Sequence, residues 1–285
     1  MTRINKWVKT IGFLPLLLAA LAIVGIVLAD LSYSGHVAGS GLWGGFVAIF
    51  IRSILGVSSW FSSSYGLGII VFTVFVRFLI LPLMVYQIDS MKKMQGLQDE
   101  IKALQDAYPG RDTESRQLLA TAQQQLYKDR GISPFASMLP LLVQMPVLIA
   151  LYQGIHNSPV LRSGSFLWLN LGHQDPYFIL PVLAALFTFG SSWLSTQANP
   201  QQNAMTKAMP YVFPFLILFT ALAVPSAVSL YWVVGNLFQM VQTFFLQNPF
   251  KMRREREEAL ALEKEKARKV RKARKAQRSK KRKKR

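Results

Sequence analysis

The sequence predicts an all-α, multi-pass membrane protein, and three observations carry that expectation. Hydrophobic residues make up 51% of the chain, while the polar ones gather into a few blocks. Six apolar runs, at residues 11–29, 65–86, 134–155, 178–196, 209–224 and 227–246, mostly approach the ~20 residues that a helix needs to cross the hydrocarbon core. Basic residues, finally, fall on alternate connections between those runs. The competing reading, buried helices of a large soluble protein, would have to fit six such runs into 285 residues.

The first run has two readings. A basic start, an apolar stretch and small residues at Val27 and Ala29 fit a signal peptide, whereas a 19-residue apolar length fits a span. The next apolar segment, 41–57, is interrupted by Arg52 and is short for a span. Trp43, Phe46, Phe50 and Ile54 recur every three or four residues, which predicts an interfacial helix. The run 65–86 carries Arg77 with no acidic residue beside it. A charge near mid-bilayer costs roughly 2.5 to 3.5 kcal/mol on insertion scales, so such residues face a bundle interior or water. Arg77 is therefore a candidate functional residue.

Residues 88–133 predict two helices folded back on each other. Met91, Met94, Leu97, Ile101 and Leu104 form one apolar stripe, Tyr108-Pro109-Gly110 ends it, and Asp112 reads as the N-cap of a second helix through Leu126. The runs 209–224 and 227–246 are joined only by Pro225 and Ser226, which predicts a tight helical hairpin. From Lys251 onward the chain holds nineteen basic and five acidic residues. The first part of this tail has helical charge spacing, as in Glu265 with Lys269, and the final SKKRKKR has no apolar residue. Such a run attracts phosphate, whether of RNA or of anionic lipid headgroups.

Lysine and arginine placement predicts the orientation. The N-terminus, 88–133, 197–208 and the tail are rich in them and should be cytoplasmic, while 30–64 and 156–177 should face outward. None of the fourteen acidic residues lies in a span, so Arg77 has no intramembrane carboxylate of its own chain to pair with. No cysteine is present, and the three histidines, His36, His156 and His173, fall on separate loops. With no phosphate-binding glycine loop, HExxH or cysteine nucleophile either, the sequence predicts neither an enzyme nor a cofactor or metal. A small-anion transporter or channel using Arg77 is the alternative function, although no inverted repeat is visible.

Four blocks, VRFLILPLMVYQIDSMKKMQGLQDEIKALQ, LYKDRGISPFASMLPLLVQMPVLIALYQGI, FLWLNLGHQDPYFILPVLAAL and SLYWVVGNLFQMVQ, resemble in order and spacing the YidC/Oxa/Alb membrane protein insertases. The likeness covers roughly residues 60–248 and is to the short Gram-positive type. It implies a five-helix insertase core with a cytoplasmic helical hairpin, plus the N-terminal apolar segment as span or signal peptide. In these terms the chain divides into 1–29, an extracytoplasmic 30–64, a first core span 65–86, a hairpin 87–133, four further core spans in 134–248 and a basic tail 249–285.

The family implies a hydrophilic groove open to cytoplasm and lipid and closed outward. Arg77 matches its groove arginine, Thr73 stands one helical turn earlier, and Trp232 matches a substrate-contacting position. Gln144 in LVQMP and Asn236 in VVGN are further groove candidates, with helix–helix hydrogen bonding as the alternative role. Where many relatives carry paired glutamines in the third core span, this chain has Ser191-Ser192. The implied partners are nascent membrane proteins, the lipid bilayer, the ribosome and possible Sec translocon involvement. Ribosomal RNA or anionic lipid would meet the tail at Arg268, Lys269, Arg271, Lys272, Lys280 and Lys281. An acidic substrate segment would enter the groove, and its apolar helix would leave between the third and fifth core spans.

Overall fold

A computed structural model of the chain describes residues 12–33, 35, 41–110, 112–133, 138–198 and 204–247, with isolated positions from 250 to 269. The starts of the runs 11–29 and 134–155, part of the loop 197–208, His36 and the end of the tail lie outside the described residues. The described residues form an all-α, multi-pass bundle. Its helices are α1 (Phe13–Ser32), α2 (Gly41–Trp60), α3 (Tyr65–Gly96), α4 (Gln98–Ala107), α5 (Thr113–Asp129), α6 (Leu139–Asn157), α7 (Pro159–Arg162), α8 (Ile179–Ala198), α9 (Ala204–Ala223) and α10 (Ser226–Gln247). A two-stranded antiparallel hairpin, β1 (Ser165–Phe166) and β2 (Leu169–Asn170), sits between α7 and α8.

Among the described residues, four helices are long and apolar enough to cross a bilayer: Phe13–Ser32, Gly41–Trp60, Tyr65–Met94 and Ile179–Gln197, with Ala208–Ala223 a shorter apolar helix. Helix α10 is less apolar because Ser229, Asn236, Gln239 and Gln242 interrupt it. Helix α3, at 32 residues, spans about 48 Å at 1.5 Å per residue and so outruns a ~30 Å hydrocarbon core. The first half of the methionine stripe, Met91 and Met94, belongs to this continuous helix, and the break comes only at Leu97. Beyond it α4 and α5 form the hairpin, tied by an Arg130–Glu100 ion pair at 2.8 Å. Asp112 caps α5 by accepting from the Ser115 backbone N–H at 2.9 Å, a bond that holds its carboxyl below the usual carboxylate range.

The bundle has two unlike ends. At the end away from the α4–α5 hairpin, Ile54, Ile69, Phe72, Leu151, Ile155 and Val228 pack into a continuous buried core. The α9–α10 turn is tied down there: the Ser226 backbone N–H and hydroxyl both donate to the His173 carbonyl, each at 2.6 Å. Helix α2 packs against this end. Trp43 donates to Gln153 near the last turn of α6 at 2.8 Å, Phe50 meets Phe72 near the start of α3, and Trp60 donates to Ser32 at the end of α1 at 3.2 Å.

Helix α1 is seated on this platform by small residues. Ala19, Ala22 and Ala29 are buried, and the ring of Phe75 lies against Gly25. The Ala29 carbonyl approaches Gly56 so closely that no side chain fits at that position. Arg52 and Asp30 then pair at 3.1 Å across the α1–α2 seam.

Candidate functional site

Toward the hairpin end the packing opens into a cavity of about 390 Å³. Helix α3 lines it with Arg77, Ile80, Leu83, Met84 and Gln87, a recurrence every three or four residues that keeps them on one face. Leu139, Val143 and Gln144 of α6, Phe213 and Ile217 of α9, and Trp232, Asn236 and Gln239 of α10 complete the wall. Arg77 and Trp232 mark its deep end, since the residues one to two turns further along their helices, Phe72 and Val228, belong to the sealed core. Arg77 stands twelve residues into α3, hence about 18 Å from that helix's start.

The lining is apolar walls with one cation and four carboxamides. Arg77 is only 6% exposed, and its Nε has no hydrogen-bond partner. Among the described residues no carboxylate comes within ion-pair distance of it. Room for the guanidinium comes from Gly235, where a methyl group would collide with Nη2. A buried cation with unmet donors is the arrangement that attracts an incoming anion.

The five residues singled out from the sequence separate here. Arg77, Gln144, Trp232 and Asn236 line one cavity. Thr73 is fully buried, is not among the lining residues, and donates its hydroxyl to the Ile69 carbonyl at 2.6 Å. Gln144 donates to the Tyr231 hydroxyl at 3.0 Å, and Asn236 donates to Thr188 Oγ1 at 2.7 Å and to the Ala184 carbonyl at 3.3 Å. These two carboxamides therefore join helices as well as face the cavity. Gln87, Gln239, Tyr231 and Gly235 were not anticipated. Helical spacing from Arg77 and Asn236 would have found the two glutamines, whereas Tyr231 and Gly235 matter only through neighbours on other helices. Ser191 bonds within α8 to the Thr188 carbonyl at 3.1 Å.

Helices α8 and α10, the third and fifth core helices, are joined by Asn236 and pack against each other, so this structure holds no open seam between them. This corrects the exit expected from the sequence. The second and fourth, α6 and α9, instead flank the cavity without a packed seam: α9 rests on α8 and α6 mainly on α2. Their outer faces, Leu142, Met145 and Ile149 on one and Tyr211, Phe215 and Phe219 on the other, are exposed apolar surface. In the tail, Arg268 and Lys269 are exposed and Lys269 pairs with Glu265 at 2.7 Å, whereas Arg271, Lys272, Lys280 and Lys281 lie outside the described residues. No group of three or more His, Asp or Glu suited to a metal occurs among the described residues.

Comparison with known proteins places this architecture. The family described as 60Kd inner membrane protein matches residues 56–255. The chain is 51% identical over 245 residues to "Membrane protein insertase YidC 2" of Lactiplantibacillus plantarum, covering 85% of this chain and 88% of that protein. It is 43% identical to "Membrane protein insertase YidC 1" of Streptococcus pyogenes serotype M6, covering 93% of each. Among solved structures, the fold is similar to "Active YidC insertase crystal structure with the first transmembrane domain resolved", with TM-score 0.56 and 23% identity, covering 72% of this chain and 47% of that one.

Proposed function

The chain belongs to the YidC insertases of the 60Kd inner membrane protein family, and from that membership we propose how its cavity works. The protein is a membrane protein insertase, and the anion-carrier alternative finds no support among its relatives. The observation that carries the mechanism is a buried, acid-free Arg77 at the blind end of a cavity that opens toward the α4–α5 hairpin.

A hydrophilic, often acidic, segment of a nascent membrane protein enters from the hairpin end. Arg77 meets its carboxylate; at about 4 Å and an effective dielectric of 20 that contact is worth roughly 4 kcal/mol before desolvation. Gln87, Gln144, Asn236 and Gln239 offer amide groups along the way and replace part of the lost hydration. The apolar part of the substrate passes between α6 and α9 into lipid, where burial of its side chains draws it out. A membrane potential positive beyond the sealed end adds ~2.3 kcal/mol per negative charge per 100 mV. Insertion as proposed needs no bond made or broken, so we assign no catalytic residue and no cofactor.

The distribution of lysine and arginine supports a cytoplasmic hairpin and C-terminus. The basic tail supports a ribosome contact through rRNA phosphates, with anionic lipid as the competing polyanion and the Sec translocon as a further partner. The seat of α1 supports a retained span, because cleavage after Ala29 would need a carbonyl that lies against Gly56. Insertion of a single-span substrate with an acidic N-terminus into proteoliposomes tests the mechanism. Arg77→Ala should slow it and Arg77→Lys should retain much of it; an unaffected Ala variant would remove Arg77 from the mechanism.

A further inference from the structure

The connection from α7 to α8 holds two bulky residues in left-handed backbone, Leu167 at φ 54° and Phe178 at φ 57°. Glycine is the residue that favours this conformation, and bulky side chains there persist only where the surroundings hold them. Neither side chain is used for packing: Leu167 is 75% exposed, Phe178 54%, and the neighbouring Tyr177 66%. Two strained turns that push apolar side chains away from the protein call for an occupant outside it.

One buried carboxylate holds both turns. Asp175, 3% exposed, accepts from the Trp168 indole N–H at 3.0 Å and the Tyr177 backbone N–H at 3.1 Å through one oxygen. Its other oxygen accepts from the Leu180 N–H at 2.7 Å, and its own carbonyl accepts from the Phe178 N–H at 3.3 Å. The β1–β2 tip and the first turn of α8 are thereby fixed to a common point. Phe166 at the base of the hairpin lies against Gly66 in the first turn of α3, which sets the level of the assembly at the sealed end.

We propose that Leu167 and Tyr177–Phe178, presented by the Asp175 clasp, form a two-tip anchor that inserts into the lipid leaflet at the sealed end of the bundle and fixes the depth of the cavity. Continuity of surface identifies lipid as the occupant. Phe178 leads directly into Ile179, Val182 and Leu186, an exposed apolar stripe at helical spacing along a membrane-crossing helix. Aromatic side chains at such a helix end belong at the headgroup boundary. The clasp also explains a buried acid that forms no ion pair among the described residues, since its three donors satisfy it locally.

The chain has no cysteine, so single substitutions can be labelled without further change. Leu167→Cys, Phe178→Cys and, as a control on the exposed α7 end, Arg162→Cys would carry an NBD fluorophore in proteoliposomes containing lipids with a shallow nitroxide. The anchor predicts nitroxide quenching about twofold stronger at 167 and 178 than at 162, with the reverse order for aqueous iodide, as for side chains at the interface. Trp168→Phe, which removes one bond of the clasp, should lower nitroxide quenching at 167 and leave 178 unchanged. Iodide-accessible tips, tips shielded from both quenchers, or quenching at one tip alone would each overturn the anchor. An unchanged value at 167 in Trp168→Phe would overturn the clasp. None of these readings depends on insertion activity.

Discussion

The two halves of the bundle use the same helices to opposite ends. In the sealed half, α3, α6 and α10 meet through Phe72, Leu151, Ile155 and Val228, and the turn between α9 and α10 is bonded to the loop before α8. A few turns along the same helices, Arg77, Gln144 and Asn236 face a space that protein leaves unfilled. The sealed half acquires its stability from close packing, and any loss of volume there is felt. The open half has given up packing for a cavity lined by one buried cation and four carboxamides. One set of helices thus holds a close-packed end and a receptive end, and substitutions should affect stability in the first and insertion in the second.

The largest expected effect lies in the sealed half. Leu151→Ala should cost about 2 to 5 kcal/mol, read as a lower unfolding temperature in detergent, while insertion per folded molecule stays near that of the parent. Arg77→Ala should invert that pattern, with insertion of an acidic substrate falling about tenfold, equivalent to about 1.4 kcal/mol. Its unfolding temperature should hold or rise, because a buried unpaired charge has been removed. Asn236→Leu, in the open half but bonded to a neighbouring helix, breaks the bonds to α8 while leaving Arg77 in place. A stability loss of about 0.6 to 1.7 kcal/mol with a modest insertion defect is expected. Deleting 251–285 should change neither property in proteoliposomes, yet lower ribosome co-sedimentation at physiological salt. Intact mass of the membrane-extracted protein should still include residues 13–29, the outcome that a retained α1 seated by Ala29 on Gly56 predicts.

Much of the open half was legible from sequence because its signals are exceptions. A single arginine in an apolar run, and carboxamides in two others, stand out without any knowledge of their neighbours. Thr73 shows the limit. Its four-residue spacing from Arg77 gives the right helix face, but it sits one turn deeper, where side chains from other helices close over it and its hydroxyl turns back to Ile69. The exit path fails for a related reason, since span order along the chain does not say which helices touch. Gly235 was invisible as a determinant because its role is to be absent beside a guanidinium from another helix. The 20-residue extent of α2 was underread where Arg52 interrupts the apolar pattern; that charge is met by Asp30 at the end of α1.

The boundary between the halves is the central claim, and crosslinking from single photoreactive residues to a stalled nascent chain tests it most directly. Probes at Trp232 and Phe213 face the cavity, and probes at Thr73 and Leu151 lie behind it on the same or neighbouring helices. Adducts from Trp232 and Phe213 with none from Thr73 and Leu151 are the predicted result. Adducts from Thr73 as strong as those from Trp232 would mean that the sealed half opens during insertion, and would contradict the division.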